Sequence, residues 1–356
     1  MDIEKFLEEK ARAIDEAIEK YIPRKYDKDS MVFKLSPPRY EPSLKALNKA
    51  ITEPIWEFLD RGGKRWRPAF FLLVCEALGA DPERFLDFAI IPEVVHNGTL
   101  VTDDIEDSSE LRRGKPCTYR LYGLDVAVNV GCAMFYLPLA TLIKNKEKIS
   151  TEKANKIYEI YVQEMANLCF GQATDIAWHK GWIKADEITE RQYLQMCIYK
   201  TGTLARMAAK MAAVLAGAND DVVEKMGRFA ESIGVAFQIQ DDILDLVGEE
   251  FAEKKGGLGK DITEGKRTLM VIYALRKAKP ADKKRLLEIL NMHTKNQKLR
   301  DEAIGIIRKY GAIKYARWFA RSMVDNTWSD IDKLLPPSEA KEKLEAFAKY
   351  LIERRI

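Results

Sequence analysis

Strand signals are scarce in these 356 residues. No stretch sustains an alternation of apolar and polar positions, so folds built on sheets are disfavoured from the start. Cysteine is sparse as well. Cys75, Cys117, Cys132, Cys169 and Cys197 are scattered with neither metal-ligand nor redox spacing, which argues against a zinc module or a disulfide scaffold. They read as reduced thiols of a cytoplasmic protein. Neither sign of charge prevails: 58 Lys and Arg against 55 Asp and Glu leave a net +3. That balance gives no general pull toward nucleic acid, and none is expected as a partner. The longest nearly apolar run, Val126–Ile143, holds Asn129, Gly131 and Pro138 and is marginal for crossing a bilayer. It reads as a buried core helix kinked at Pro138, leaving at most peripheral membrane contact. The charged N-terminal stretch MDIEKFLEEKARAIDEAIEKY does not read as a signal peptide. No domain linker and no internal repeat of 20–50 residues is visible.

Helical periodicity, by contrast, recurs almost everywhere. A first helix is expected over about residues 2–20, followed by a proline-bearing stretch, Tyr21 to Pro42, which is either an ordered arm or a leader. Residues 1–42 are therefore set apart from a catalytic region, 43–356. Ser43 can cap the next helix, whose apolar face carries Leu44, Leu47, Ile51 and Ile55.

The chemistry concentrates in HNGTLVTDDIEDSSELRRGKP, His96 to Pro116. Asp103, Asp104 and Asp107 follow the spacing D-D-x-x-D, which places Asp103 and Asp107 on one helix face with Asp104 beside them. Three clustered carboxylates repel one another unless a counter-charge is present. Mg²⁺ is a fitting one, because it takes oxygen ligands and commonly bridges carboxylates to phosphates. Arg112 and Arg113 follow at once, and guanidinium forks bind phosphate oxygens bidentately. A solvated acidic helix end with a basic loop would have the same composition, and alone the run decides little. A second copy changes the balance: Asp241, Asp242 and Asp245 repeat the spacing in FQIQDDILD. Their flanks are apolar, and buried carboxylates without partners are costly. The two patches read as opposite walls of one metal-holding cavity.

Other segments add cations. DRGGKRWRP places Lys64, Arg65 and Arg67 on a glycine turn and the next helix start, an arrangement that suits an anion. His96 lies two helical turns before Asp103 on the same side, and substrate contact is the favoured reading. Lys200, in YKTGT, sits among apolar residues and needs an anion or aspartate partner. KKGGLGKDITEGK, Lys254 to Lys266, is a glycine-rich loop with four lysines but no Walker A spacing, and reads as a lid over phosphates.

With these motifs in place, the chain resembles the trans-isoprenyl diphosphate synthases of the polyprenyl synthetase family. GGKRWRP, HNGTLVTDDIEDSSELRRGKP, GQATD, YKTGT, FQIQDDILD and GKDITEGK occur in that family's order over roughly residues 43–350, and the DDIEDSSELRRG run is most similar to the geranylgeranyl type. The resemblance implies an all-α, single-domain helical bundle around a deep apolar cavity, usually homodimeric. It implies a transferase joining an allylic diphosphate to isopentenyl diphosphate (1′-4, trans), with geranylgeranyl diphosphate (C20) as the expected product and C25 or longer as the alternative. It implies about three Mg²⁺ ions, or Mn²⁺, per site. Asp103, Asp104, Asp107, Asp241, Asp242 and Asp245 would be their ligands. Arg112, Lys200 and Lys266 would bind the allylic diphosphate. Lys64, Arg67, His96 and Arg113 would bind isopentenyl diphosphate. Thr201 and Gln238 would stand near the reacting carbons. The family's lid lysine falls at Gly256 here, so Lys255 or Lys254 would take its place. Product length would be read along Thr99, Gly98 and Val95; the first two are small and leave the path open. A class I terpene cyclase leaves GGKRWRP and Arg113 unexplained, and a non-catalytic partner subunit would be expected to lose an aspartate motif.

Overall fold

A computed structural model describes residues 3–32, 38–184, 186–248 and 258–353. Among these the architecture is all-α; the sole strands are a two-residue antiparallel pair, Leu111–Arg112 with Lys115–Pro116. The chain divides into two compact units, neither a continuous stretch. One comprises Met1–Ile160, Met207–Val223 and Pro336–Leu344; the other comprises Tyr161–Arg206, Glu224–Leu335 and Glu345–Ile356.

In the first unit, α1 (Ile3–Tyr21) is amphipathic and buries Ile3, Leu7, Ile14, Ile18 and Tyr21. That stripe packs on α2 (Trp66–Ala77) and α3 (Leu86–Glu106). Each such side chain contributes roughly 1.5–3 kcal/mol on full burial, so α1 is part of the core of this unit. Its C-terminal end is pinned at buried Asp87, which accepts hydrogen bonds from Lys20 (2.8 Å), Tyr21 (2.8 Å) and Lys148 (3.2 Å). Burial raises the Asp87 carboxyl, but those three donors outweigh it and hold the group below its ordinary range. Ser43 does cap the following helix, accepting from the Ala46 amide.

Helix α3 packs most extensively against α4 (Leu124–Tyr136). Two glycines permit the crossing. A Cβ on Gly98 would stand 2.8 Å from Met134 Cβ, and one on Gly131 would stand 2.6 Å from Thr102 Cγ2. The run read as a buried, kinked helix does break at Pro138, where a 3₁₀ turn, Leu137–Leu139, precedes Ala140–Lys144. It is buried on one side only. Ala127, Val130 and Met134 face inward, whereas Leu124, Val128 and Tyr136 are exposed. Leu124–Lys144 is long and apolar enough to cross a membrane, and 44% of it is buried within the protein.

The second unit contains residues 161–179 of α5 (Thr151–His179), α6 (Glu190–Cys197), residues 203–206 of α7 (Thr203–Ala216) and residues 224–247 of α8 (Asp220–Val247). It also holds α9 (Lys260–Thr263), α10 (Leu269–Lys277), α11 (Gln297–Lys309) and α12 (Ala312–Asp332). Thr189 starts α6 with a capping box, its hydroxyl accepting from the Gln192 amide while the Gln192 side chain accepts from Thr189. A π-helical turn, Ile198–Gly202, joins α6 to α7. Arg206 is nearly buried between Glu164 and Glu231, with Nε 2.7 Å from Glu164 Oε1. The paired charges compensate one another where neither could stand alone.

Candidate active site

In the first unit the site is built on the C-terminal half of α3 and two glycine turns. The tiny hairpin reverses at Gly114 (φ 76°), and Arg113 itself takes a left-handed conformation (φ 53°). The two arginines thereby part company. Arg112 turns to the aspartates, its Nε 2.8 Å from Asp104 Oδ1 and its terminal nitrogen 3.6 Å from Asp103. Arg113 turns the other way, donating to the Gly62 carbonyl and to Asn97 Oδ1. Its guanidinium lies over the Phe58 ring and against Gly63, where a Cβ would stand 3.2 Å from the guanidinium. Gly63, at φ 142°, is therefore needed for both its backbone and its missing side chain.

Cations gather around His96. Burial lowers its basicity, and Arg67, Arg113, Arg112 and Arg65 lower it further, to well below the ordinary histidine value. Burial first, and the surrounding positive charge with it, favours the neutral ring. Burial likewise lowers Arg113, to about 10, with Glu93 opposing and Arg65, Arg112 and Arg61 adding to the effect. Glu93 is shared between Arg65 (3.1 Å) and Asn97 (3.0 Å). Arg67 is buried, its guanidinium 4.4 Å over the Trp66 ring. Such an enclosed excess of guanidinium suits a multiply charged anion. Lys64 departs from this group: it is exposed and stands 3.5 Å from Glu4 of α1.

Asp104 is buried. Burial raises its carboxyl, while the Arg112 hydrogen bond acts in the opposite direction. Its Oδ2 is buried with no hydrogen bond, an oxygen that a hard cation could satisfy. Among the described residues no three His, Cys, Asp or Glu side chains converge to cage an ion by themselves.

In the second unit the aspartates stand at the C-terminal end of α8. Asp241 is half-buried, and Asp242 and Asp245 are buried, as the apolar flanks led one to expect. A hydrogen-bonded chain runs through Asp242. Thr201 Oγ1 donates to Gln238 Oε1 (3.0 Å), Gln238 Nε2 donates to Asp242 Oδ1 (2.9 Å), and the Tyr193 hydroxyl donates to Asp242 Oδ2 (2.7 Å). Burial first, then the charge of Asp261, push the Asp242 carboxyl up to about 7. Lys200 pairs with Asp175. Lys266 pairs with Glu264 (2.7 Å) and Asp261 (3.4 Å), and despite burial is held well above its ordinary value by Asp261, Glu264 and Asp175.

The turn carrying Lys200 and Thr201 is gripped by two glycines. A Cβ on Gly171 of α5 would meet the Lys200 amide nitrogen at 2.4 Å; one on Gly234 of α8 would meet Gly202 Cα at 2.8 Å. This gives the glycine of GQATD its physical reason. Asp245 also serves a helix start. Its Oδ1 accepts from the Lys260 amide (3.2 Å) and its Oδ2 from the Asp261 amide (3.0 Å), while its carbonyl accepts from Gly259 (2.8 Å). It is the N-terminal clamp of α9. Lys255, with Lys254 and Gly256, lies outside the described residues.

Thr99 is half-buried and donates to the His96 carbonyl (2.7 Å), and Val95 is fully buried. Gly98 faces α4, and its smallness permits the helix crossing described above. Residues that the motifs did not single out join each group: Asn97 and Glu93 in the first unit, Tyr193 in the second. Tyr193 lies seven residues before Lys200 and shares its helix face, the one sequence signal that could have marked it.

An all-α protein with two aspartate-rich motifs, each beside cations suited to phosphate, defines an enzyme that ionises a diphosphate with a divalent metal. The polyprenyl synthetase family model matches residues 48–307, and the chain belongs to that family. It is a trans-prenyltransferase, as the motifs implied. It is 35% identical over 296 residues to the short chain isoprenyl diphosphate synthase of Methanothermobacter thermautotrophicus, covering 83% of this chain and 88% of that one. It is 33% identical to the geranylfarnesyl diphosphate synthase of Aeropyrum pernix, covering 83% and 92%. The crystal structure of geranylgeranyl pyrophosphate synthetase from Pyrococcus horikoshii superposes with a TM-score of 0.85 at 32% identity, covering 99% of this chain and all of that one.

Proposed function

We propose that the protein condenses an allylic diphosphate with isopentenyl diphosphate to give all-trans geranylgeranyl diphosphate. The observation that carries this reading is the division of labour between Arg112 and Arg113. One guanidinium is drawn to the aspartates, the other to the cation pocket around neutral His96. Two diphosphates need two such places. Arg112, Lys200 and Lys266 bind the allylic diphosphate, and Arg67, Arg113 and His96 bind isopentenyl diphosphate, with Lys64 at the surface edge.

Diphosphate departs only when its charge is neutralised. Asp103, Asp104, Asp107, Asp241, Asp242 and Asp245 would hold Mg²⁺, which would supply Lewis-acid neutralisation of that leaving group. The arginines and lysines are already charged and oriented before substrate arrives, so they stabilise the developing negative charge with little reorganisation. Thr201 and Gln238, fixed through Asp242 and Tyr193, stand near the reacting carbons. The alkene of isopentenyl diphosphate attacks the allylic cation, and the proton then lost from the adduct passes to the released diphosphate. Asp245 clamps α9 and keeps Asp261 and Lys266 in register.

A C20 product accords with the geranylgeranyl type of the first aspartate run; the geranylfarnesyl relative keeps C25 as the second reading. We further propose a cytoplasmic homodimer. All five cysteines are free thiols, and Leu124, Val128 and Tyr136 leave an apolar face exposed. The deciding experiment supplies purified protein with Mg²⁺, labelled isopentenyl diphosphate and dimethylallyl, geranyl or farnesyl diphosphate in turn, and sizes the products. A discrete C20 product, abolished by EDTA and by Asp103→Ala, is expected. Dominant farnesyl diphosphate would overturn the chain length, and no incorporation with any primer would overturn the activity.

A further inference from the structure

The N-terminal half of α12 presents a surface that the condensation does not use. Lys314, Arg317, Trp318 and Arg321 are spaced three and four apart and so share one helix face, and all four are exposed. Trp318 is 62% exposed, unusual for so large an apolar side chain. Its indole is nevertheless held in place. Its ring centroid lies 6.0 Å from that of Tyr315, which stacks on Tyr273 at 4.1 Å. The opposite face of the helix is fixed by buried Ala312, Ala316 and Ala320.

Beside this row, Arg308, Gly311, Ile313, Lys314 and Arg317 line a cavity of about 300 Å³. Arg308 donates one N–H to the Leu246 carbonyl at 3.2 Å, which steadies it at the rim. Among the described residues no acidic side chain lines the cavity, and the first acid further along this helix face is Asp325. Three cations thus wall a cavity beside a rigid, solvent-facing indole. A soluble anion would satisfy the cations and leave the indole in water. A bilayer with anionic headgroups satisfies both, because an indole settles at the boundary between headgroups and acyl chains.

We propose that this face docks the enzyme onto an anionic lipid bilayer, with lipid phosphates between Arg308, Lys314 and Arg317 and Trp318 in the interface. Each cation near such a surface strengthens adsorption by about fivefold. The contact is independent of the condensation reaction and of product length.

The test is flotation of the full chain with vesicles of phosphatidylcholine alone, or mixed about 3:1 with phosphatidylglycerol. The wild type is expected to float with the mixed vesicles, not with the neutral ones, and to be released by high salt. The Lys314→Glu/Arg317→Glu variant should lose more than about twentyfold of that partition. Trp318→Ala should lose several-fold with its salt response unchanged. Wild-type thermal melting and vesicle-free prenyltransferase activity would show that both variants are folded. Absence of wild-type flotation, equal flotation of the charge-reversed variant, or equal binding to neutral vesicles would overturn the proposal. Retention on heparin without flotation would also overturn it, assigning the patch to a soluble polyanion.

Discussion

Replacing Gly171 by alanine should damage both stability and turnover through a single added methyl group. The new Cβ would stand 2.4 Å from the Lys200 amide nitrogen, 2.7 Å from the Tyr199 carbonyl carbon and 2.8 Å from Lys200 Cα. All three are backbone atoms, so no side chain can swing aside. Ordinary contact begins near 3.4 Å, so α5 and the π-helical turn must separate by about 1 Å. Overpacking of this kind costs roughly 1–3 kcal/mol, offset by at most about 1 kcal/mol from the better helix propensity of alanine. The melting temperature should fall by a few degrees, about 2–4 °C per kcal/mol in a chain of this order of size. The same movement shifts Lys200 and Thr201, and a 1 Å misplacement of substrate-positioning groups can cost on the order of 10²-fold in rate. Steady-state kinetics with a fixed allylic primer, together with calorimetry, would measure both. Gly305→Ala is the matched control: it lies within a helix, and a Cβ there would meet nothing within 4 Å. It should be neutral or stabilising by up to about 1 kcal/mol. A Gly171→Ala enzyme with wild-type kcat/KM and melting temperature would refute the close approach from which this reasoning starts.

The buried Asp242 carboxyl, raised to about 7, takes up a proton in the folded protein that the unfolded chain, with an ordinary carboxyl near 3.9, gives up. Metal-free protein should therefore lose stability as pH rises from about 4 to about 7, by a few kcal/mol at most; Asp242→Asn should flatten that part of the pH–melting profile, and an unchanged slope would count against it. Asp245→Ala leaves the Lys260 and Asp261 amides without their shared acceptor, which should cost roughly 1–3 kcal/mol, with hydrogen exchange accelerated at those two amides; unaltered protection there would show that α9 does not need the clamp. Gly98→Ala drives a Cβ to 2.8 Å from Met134 Cβ and should destabilise by about 1–3 kcal/mol before it shortens any product; a shorter product at undiminished melting temperature would return Gly98 to the product path.

The sequence by itself determined the helical character of the chain and the location of its chemistry. Periodicity of 3.6 and the spacing D-D-x-x-D are local properties, written in consecutive residues; the second motif lies wholly within α8, and the first runs off the end of α3, where Asp107 is the exposed C-cap. The arginine pair was equally legible as phosphate-binding chemistry. Only the tertiary structure decided how those groups are used. Whether Arg112 and Arg113 act together or apart depends on a left-handed residue and a two-residue hairpin. The fixing of Thr201 and Gln238 depends on Tyr193 and Asp242, and the grip on Lys200 on Gly171, 29 positions earlier in sequence. Asp245, by spacing a metal ligand, also holds a helix start 15 residues onward. Gly98 shows the ambiguity most plainly. A missing side chain can make room for a ligand or for a neighbouring helix, and spacing along one helix cannot say which, because the atom that fills the space comes from another part of the chain.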